Sequence, residues 1–323
     1  MICPCASSAI PTATSPRPCP RWRSTALLVL LAFLLPRPAL AAPVEVTDDT
    51  GHTLRLERPA QRIIPLYGAF AEMLLALGCG DRLVARTDAD AALPELARLP
   101  AVGTHMRPNA ELVAAAKPDL VLQMSGRGEA LLQTEALRKL GVPVLSFEVN
   151  SFAQLFRVME ALGRLCGREA EAAALVADWK ARLAALAAEN AGMRPWRVFY
   201  EVRYPNLLAA GRGGIVSEIV EAAGGENVVG EKRKLARLNE EAVLLADPDV
   251  YLVQRGPMNP APQPLSERPH FRGLAAVREG RTLEVDETLF SRPGPRSIEA
   301  AEQLARWLKG LERPGEEDKG EGR

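Results

Sequence analysis

The chain has 323 residues, 47% of them hydrophobic and 5% aromatic, and its 40 acidic residues balance 40 basic ones. That balance leaves no global field to draw nucleic acid or an anionic membrane surface, so function has to reside in a local site. The length suffices for two domains and a connector, at about 100 to 200 residues per domain.

Residues 1–41 read as a secretory signal peptide rather than as fold. A basic, Pro-rich lead with Arg17, Arg21 and Arg23 precedes the apolar run 25–36, and Ala39-Leu40-Ala41 offers a small-x-small cleavage site. The apolar run, about 12 residues against the roughly 20 of a membrane span, is short for an anchor. The lead is long, which points to initiation further in; the mature chain is expected to begin near Ala42, after export. No cysteine follows the cleavage site, so a bacterial lipid anchor is not indicated. Cys79 and Cys166 are the two cysteines left after cleavage. The compartment permits a disulfide, although nothing in the sequence sets the two side by side. Two are too few for a cysteine-based metal site.

In chain order, 44–57 alternates in period two around Asp49-Thr50-Gly51, as a β-hairpin does. RIIPL (62–66) predicts a short buried strand leading through Tyr67-Gly68 into a helix over 69–77 that Gly78 closes. LVART (83–87), the apolar run to Met124, a helix around 129–140 and VPVLSF (142–147) continue the β/α alternation of a doubly wound lobe over 42–150. The Ala-rich stretch 151–193 predicts one long backbone helix. WRVFYEV (196–202), a helix near 215–223, a strand around 281–285 and a last helix over 296–308 build a second β/α lobe over 194–312. The charged, Gly-rich tail 313–323 has the composition of disorder.

The most informative feature is an internal echo. NAELVAAAKPDLVLQM (109–124) recurs as NEEAVLLADPDVYLVQ (239–254), with Asn109/Asn239, Glu111/Glu241, Val113/Val243, Pro118/Pro248 and Asp119/Asp249 in register. A separation of 130 residues is too great for a solenoid, whose periods run about 20 to 50 residues, and it fits two similar lobes. In each copy an Asn at N-cap and a carboxylate in the first turn suit the positive end of a short helix. A Pro-Asp turn follows, then an apolar strand suited to a sheet covered on both faces.

With the opening TDDTGHTLRLERPAQRIIPLYGAFAEMLLALGCGDRLVART and the late SRPGPRSIEAAEQLARWL, these segments make the mature chain resemble the periplasmic substrate-binding proteins of ABC importers for ferric siderophores, haem and vitamin B12. The resemblance implies an α/β fold of two doubly wound lobes joined by a single backbone helix, with the ligand between them. It implies a carrier and not an enzyme, one that captures a metal chelate (a ferric siderophore, cobalamin or haem) and has no intrinsic cofactor. Its implied partner is an ABC permease with its ATPase subunit, and a monomer is expected. In the family a surface glutamate on each lobe docks onto arginines of the permease, and the matching positions are Glu111 and Glu241.

Ligands of such folds bind beyond the C-terminal ends of the strands. Applied along this chain, that rule selects Tyr67, Gly68, His105, Met106, Arg127, Tyr204, Arg212, Arg255, Phe290, Ser291 and Arg292 as the cleft. Aromatic surface with guanidinium groups suits a large flat or anionic chelate. Where haem carriers of the family often offer a tyrosine, in a GYMR element, this chain reads Gly103-Thr104-His105-Met106-Arg107; His105 and Tyr67 are then the candidate iron ligands. Bare zinc or manganese capture would need several converging His and carboxylate ligands, and only His52, His105 and His270 are present. The rival class is an enzyme, such as a tetrapyrrole metal chelatase on a related fold, although no nucleophile elbow, P-loop, dinucleotide fingerprint or zinc-protease motif occurs.

Overall fold

The period-two segment at the start forms the expected hairpin: β1 (Val44–Thr47) pairs antiparallel with β2 (Thr53–Leu56), and Gly51 supplies the positive φ of the turn. The computed structural model describes residues 43–126 and 128–311. The signal-peptide, Arg127 and tail expectations fall on residues outside that range. Asp48 locks the hairpin to the first sheet. Its carboxylate accepts from Thr50 N, His52 N and Ser146 N and pairs with Arg138 at 2.6 Å.

The first sheet is parallel, in the order β3 (Ile63–Pro65), β4 (Leu120–Met124), β5 (Val144–Phe147). Its helices are α1 (Gly68–Ala76), α2 (Ala110–Ala115) and α3 (Gly128–Lys139). The strand expected over 83–87 is not regular. Only single bridges, Ile63 to Leu83 and Arg86 to Ala101, hold that stretch, because Thr87 and Asp90 form a reciprocal capping box that turns the chain.

The single helix expected over 151–193 is instead two, α4 (Phe152–Cys166) and α5 (Glu169–Glu189). Gly167 takes the left-handed conformation at φ 62°, and Arg168 N donates to Gly163 O at 2.7 Å, closing α4 with a Schellman-type turn. The two helices then pack together, and a Cβ at Gly163 would lie 2.6 Å from that of Ala172. α5, at about 1.5 Å per residue roughly 30 Å long, is the element that leads into the second sheet.

That second sheet has six strands, β6 (Trp196–Arg203), β7 (Leu208–Ala210), β8 (Gly225–Asn227), β9 (Leu235–Arg237), β10 (Val250–Arg255) and β11 (Thr282–Asp286). The order β11-β10-β6 is parallel, while β7 and β9 continue antiparallel and β8 pairs with the start of β6. Its helices are α6 (Ile215–Ala222), α7 (Glu240–Ala246), α8 (Ala275–Arg278), α9 (Glu287–Phe290) and α10 (Arg296–Lys309).

Strand alternation divides the apolar residues cleanly. Ile63, Leu120 and Leu122 of the first sheet share one core with Val198, Tyr200, Val250 and Leu252 of the second, through α4, α5, α6 and α10. The opposite faces close separately, Ile64 and Val121 in one cluster, Phe199 and Tyr251 in another. Both sheets are covered on both faces, as the apolar runs required.

The echo in the sequence is an echo in hydrogen bonding. Asn109 accepts from Glu111 N and Leu112 N, and Asn239 accepts from Ala242 N, so both are N-caps. At the other helix end Arg62 donates to Ala116 O and Lys117 O, while Arg197 donates to Ala246 O and Asp247 O. Asp119 accepts from Arg62 N at 2.8 Å and Asp249 from Arg197 N at 3.0 Å. Lys117 and Asp247 both have positive φ, so the same strained turn recurs in each copy.

Candidate functional site

The ends of β3, β10 and β11 open onto one cavity of about 370 Å³. Tyr67, Gly68, Thr87, Asp90 and His105 line it from the first sheet's side. Ile215, Lys234, Met258, Glu287, Ser291 and Arg292 line it from the second's. A larger cavity, of about 550 Å³, lies beside β6 and α7 on the second sheet's side alone and gathers none of the candidate cleft residues.

At the floor, Arg292 donates to Glu72 Oε1 at 3.0 Å. Glu72 is buried one turn into α1, and burial raises its carboxyl pKa above the ordinary value while the Arg292 charge pulls it back. Asp90 is fully buried beside it. One oxygen of Asp90 accepts from Thr87 Oγ1 at 2.6 Å; Oδ1 has no hydrogen-bond partner among the described residues, and neither has Glu72 Oε2. Gly68 is what lets these groups meet, since a Cβ there would lie 2.6 Å from Asp90 Oδ1 and 2.7 Å from Arg292 Nη1.

The walls are held from behind. Gln123, buried in β4, donates to His105 O at 3.0 Å and fixes the loop that carries the imidazole. The His105 ring lies tilted against Tyr67, centroids 5.8 Å apart. On the other side Ser291 and Tyr200 both donate to Gln254 Oε1 at the end of β10, and Glu287 accepts from Met258 N at 2.8 Å.

The cavity thus brings together Tyr67, Gly68, His105, Ser291 and Arg292, and five other candidates lie away from it. Phe290 is a core side chain, 1% exposed, packed near Tyr200. Its period in α9 turns it inward while Ser291 faces the cavity. Met106 packs on the main core. Tyr204 lies over the guanidinium of Arg268, 4.1 Å from its ring centroid, and donates to Glu240 at 2.7 Å. Arg268 itself makes a fully buried pair with Glu201, at 2.6 and 3.0 Å. Arg255 is spent on Glu284 of the neighbouring strand, and Arg212 on Glu226 at 3.3 Å. Strand-end position alone did not separate these from true cavity residues.

Asp90, Lys234 and Glu287, which line the cavity, and Glu72, which pairs with Arg292 behind it, escaped sequence reasoning. Thr87-x-x-Asp90 carried a legible signal as a capping box; Lys234 and Glu287 are placed by the irregular β9 edge and the short α9, which no periodicity announces.

Glu111 and Glu241 are exposed in the first turns of α2 and α7. Exposed apolar side chains accompany them, Leu112 on α2 and Leu244 and Leu245 on α7, the last 89% exposed.

A family model described as "Periplasmic binding protein" matches residues 63–289. The chain is 28% identical over 272 residues to the uncharacterized ABC transporter substrate-binding lipoprotein YvrC of Bacillus subtilis, covering 81% of this chain and 84% of that protein. The crystal structure of the periplasmic vitamin B12 binding protein BtuF of Vibrio cholerae superposes with a TM-score of 0.67 at 25% identity, over 78% of this chain and 97% of that one. The periplasmic heme-binding protein RhuT from Roseiflexus sp. RS-1, in apo form, gives 0.65 at 26% identity, over 76% and 97%.

Proposed function

The chain belongs to the periplasmic binding protein family, and we propose that it captures a metal chelate in the periplasm and delivers it to the permease of an ABC importer. The first sheet with its helices is one lobe, the second sheet with its helices the other, and the ligand sits where their strand ends face each other. The carrier works as a monomer and catalyses nothing; a separate ATPase subunit supplies the energy of transport.

For the ligand we favour a chelate rich in amide donors, of the cobalamin type. The observation that carries this is the cavity floor. Asp90 Oδ1, on the cavity lining, is a buried acceptor with no partner among the described residues, as is Glu72 Oε2 behind Arg292, and a buried acceptor costs about 1 to 3 kcal/mol unless a donor meets it. The positive charge of Arg292 is already matched by Glu72, so an anionic periphery such as carboxylates gains little there. Primary amides supply N–H groups at no cost in charge. The vitamin B12-binding character of BtuF is consistent with this choice.

Haem is the second reading, and the adjacency of His105 and Tyr67 on the cavity wall favours it, since either could approach iron. Titration of the purified protein with cyanocobalamin, haemin and ferric siderophores, followed by tryptophan fluorescence and visible absorbance, separates the readings. Tight one-to-one binding of cyanocobalamin supports the first. A shifted Soret band lost in His105→Ala and Tyr67→Phe supports haem, and no binding by any chelate overturns the carrier reading.

A further inference from the structure

We infer that Cys79 and Cys166 form a disulfide in the exported protein, a covalent tie between the turn after α1 and the C-terminal end of α4. Both side chains are thiols in the structure, both are buried in the same core cluster, and each thiol is the largest influence on the other's titration, while Cys79 Sγ donates to Leu77 O at 3.8 Å. The backbone around them is fixed as well. Arg82, three residues after Cys79, donates to Cys166 O at 2.7 Å and to Ala60 O at 3.1 Å. Cys79 follows Gly78 and Cys166 precedes Gly167, and both glycines hold the left-handed conformation, so each sulfur sits at a chain reversal whose direction is set. Neighbouring sulfurs on anchored backbones need little movement to reach bonding distance.

The chemistry is ordinary thiol–disulfide exchange. The Cys79 thiolate attacks the disulfide of an oxidant, either a thiol–disulfide oxidoreductase of the exporting compartment or oxidised glutathione, and releases one oxidant thiolate. Cys166, losing its proton, then attacks Cys79 Sγ in that mixed disulfide and expels the second oxidant thiolate. Two protons and two electrons leave the protein, and the oxidant's disulfide is reduced to two thiols. The neighbouring Cys166 thiol holds the Cys79 pKa below the ordinary thiol value, against the opposing effect of burial, with Arg82 and Arg168 adding positive charge nearby. Cys79 is accordingly the attacking sulfur once the two side chains have met and before the core closes over them. Both sulfurs are sealed in the folded core, so oxidation accompanies folding after export.

The test uses the full chain exported through its own leader and purified without reductant. Thiols are titrated with Ellman's reagent after denaturation, and a non-reducing peptide map is taken. The expected result is a linked pair of peptides carrying Cys79 and Cys166, with both thiols titrating only after reduction. Reduction is also expected to lower Tm by about 5 °C in the native chain and to leave that of Cys79→Ser unchanged. Free Cys79 and Cys166 in the exported protein, or in reduced protein refolded with oxidised glutathione, would overturn the proposal. The native-chain map does not depend on any variant folding, and neither readout depends on which chelate binds.

Discussion

Arg292, held beyond the end of α9, reaches across to Glu72 of α1 at 3.0 Å, a pair 220 residues apart in the chain that closes the floor of the cavity. It joins the two sheets' helices at the point where the ligand would rest. Arg292→Ala leaves a buried carboxylate uncompensated, which costs about 3 to 5 kcal/mol where no proton is taken up. A fall in stability by urea unfolding, together with at least a tenfold weaker chelate affinity, is the expected outcome. Unchanged affinity would show that the pair is structural alone.

Because burial raises the Glu72 pKa, the folded state holds the proton more tightly than the unfolded chain does. The stabilisation from that proton is complete below the unfolded value of 4.5 and is lost as pH rises through the raised folded value. Glu72→Gln should flatten the stability–pH curve in that window. Denaturant titrations at a series of pH values, native against variant, measure the difference.

Gly68→Ala puts a methyl group into the space occupied by Asp90 Oδ1 and Arg292. The protein is expected to fold, with a loss of about 1 to 3 kcal/mol from overpacking, and to bind its chelate at least tenfold less tightly. Fluorescence titration alongside thermal unfolding separates the two effects.

Glu111→Ala combined with Glu241→Ala should abolish uptake in a transport assay while leaving chelate affinity unchanged. Charge pairs of this kind set orientation and on-rate at a docking surface. Equal loss of affinity and uptake would place the two glutamates in the binding machinery instead.

Arg268→Ala is expected to destabilise the fold by about 3 to 5 kcal/mol, since it strands the buried carboxylate of Glu201 on β6. Chelate affinity of the remaining folded protein should not change, because Arg268 and its cover Tyr204 face away from the cavity.

Much of this architecture was legible in residue patterns. The hairpin at 44–57, the strands around Ile63, Leu120 and Val144, and the doubled helix–turn–strand all follow from local signals: period-two alternation, apolar runs bounded by turn residues, and an Asn cap in register. The break at Gly167 was less so. Ala-rich sequence favours helix on both sides, and one glycine decides the outcome only because α4 and α5 gain by packing together at Gly163 and Ala172. The site was half legible. Strand-end position locates Tyr67, His105 and Arg292, but which arginine is spent elsewhere depends on partners such as Glu284 and Glu226, from other elements. Asp90 reaches the cavity lining through a capping box, a placement that only the tertiary structure reveals.

The twin clasps at Arg62 and Arg197 give the molecule a gauge. Each fastens the C-terminal end of a repeat helix to the strand beside it, and each helix is capped at its start by an asparagine. Neither α2 nor α7 can slide on its own sheet without breaking these bonds. The separation of Glu111 from Glu241 is therefore set by the angle between the two sheets and by little else, so a receptor that grips both carboxylates measures that angle, and with it whatever lies between.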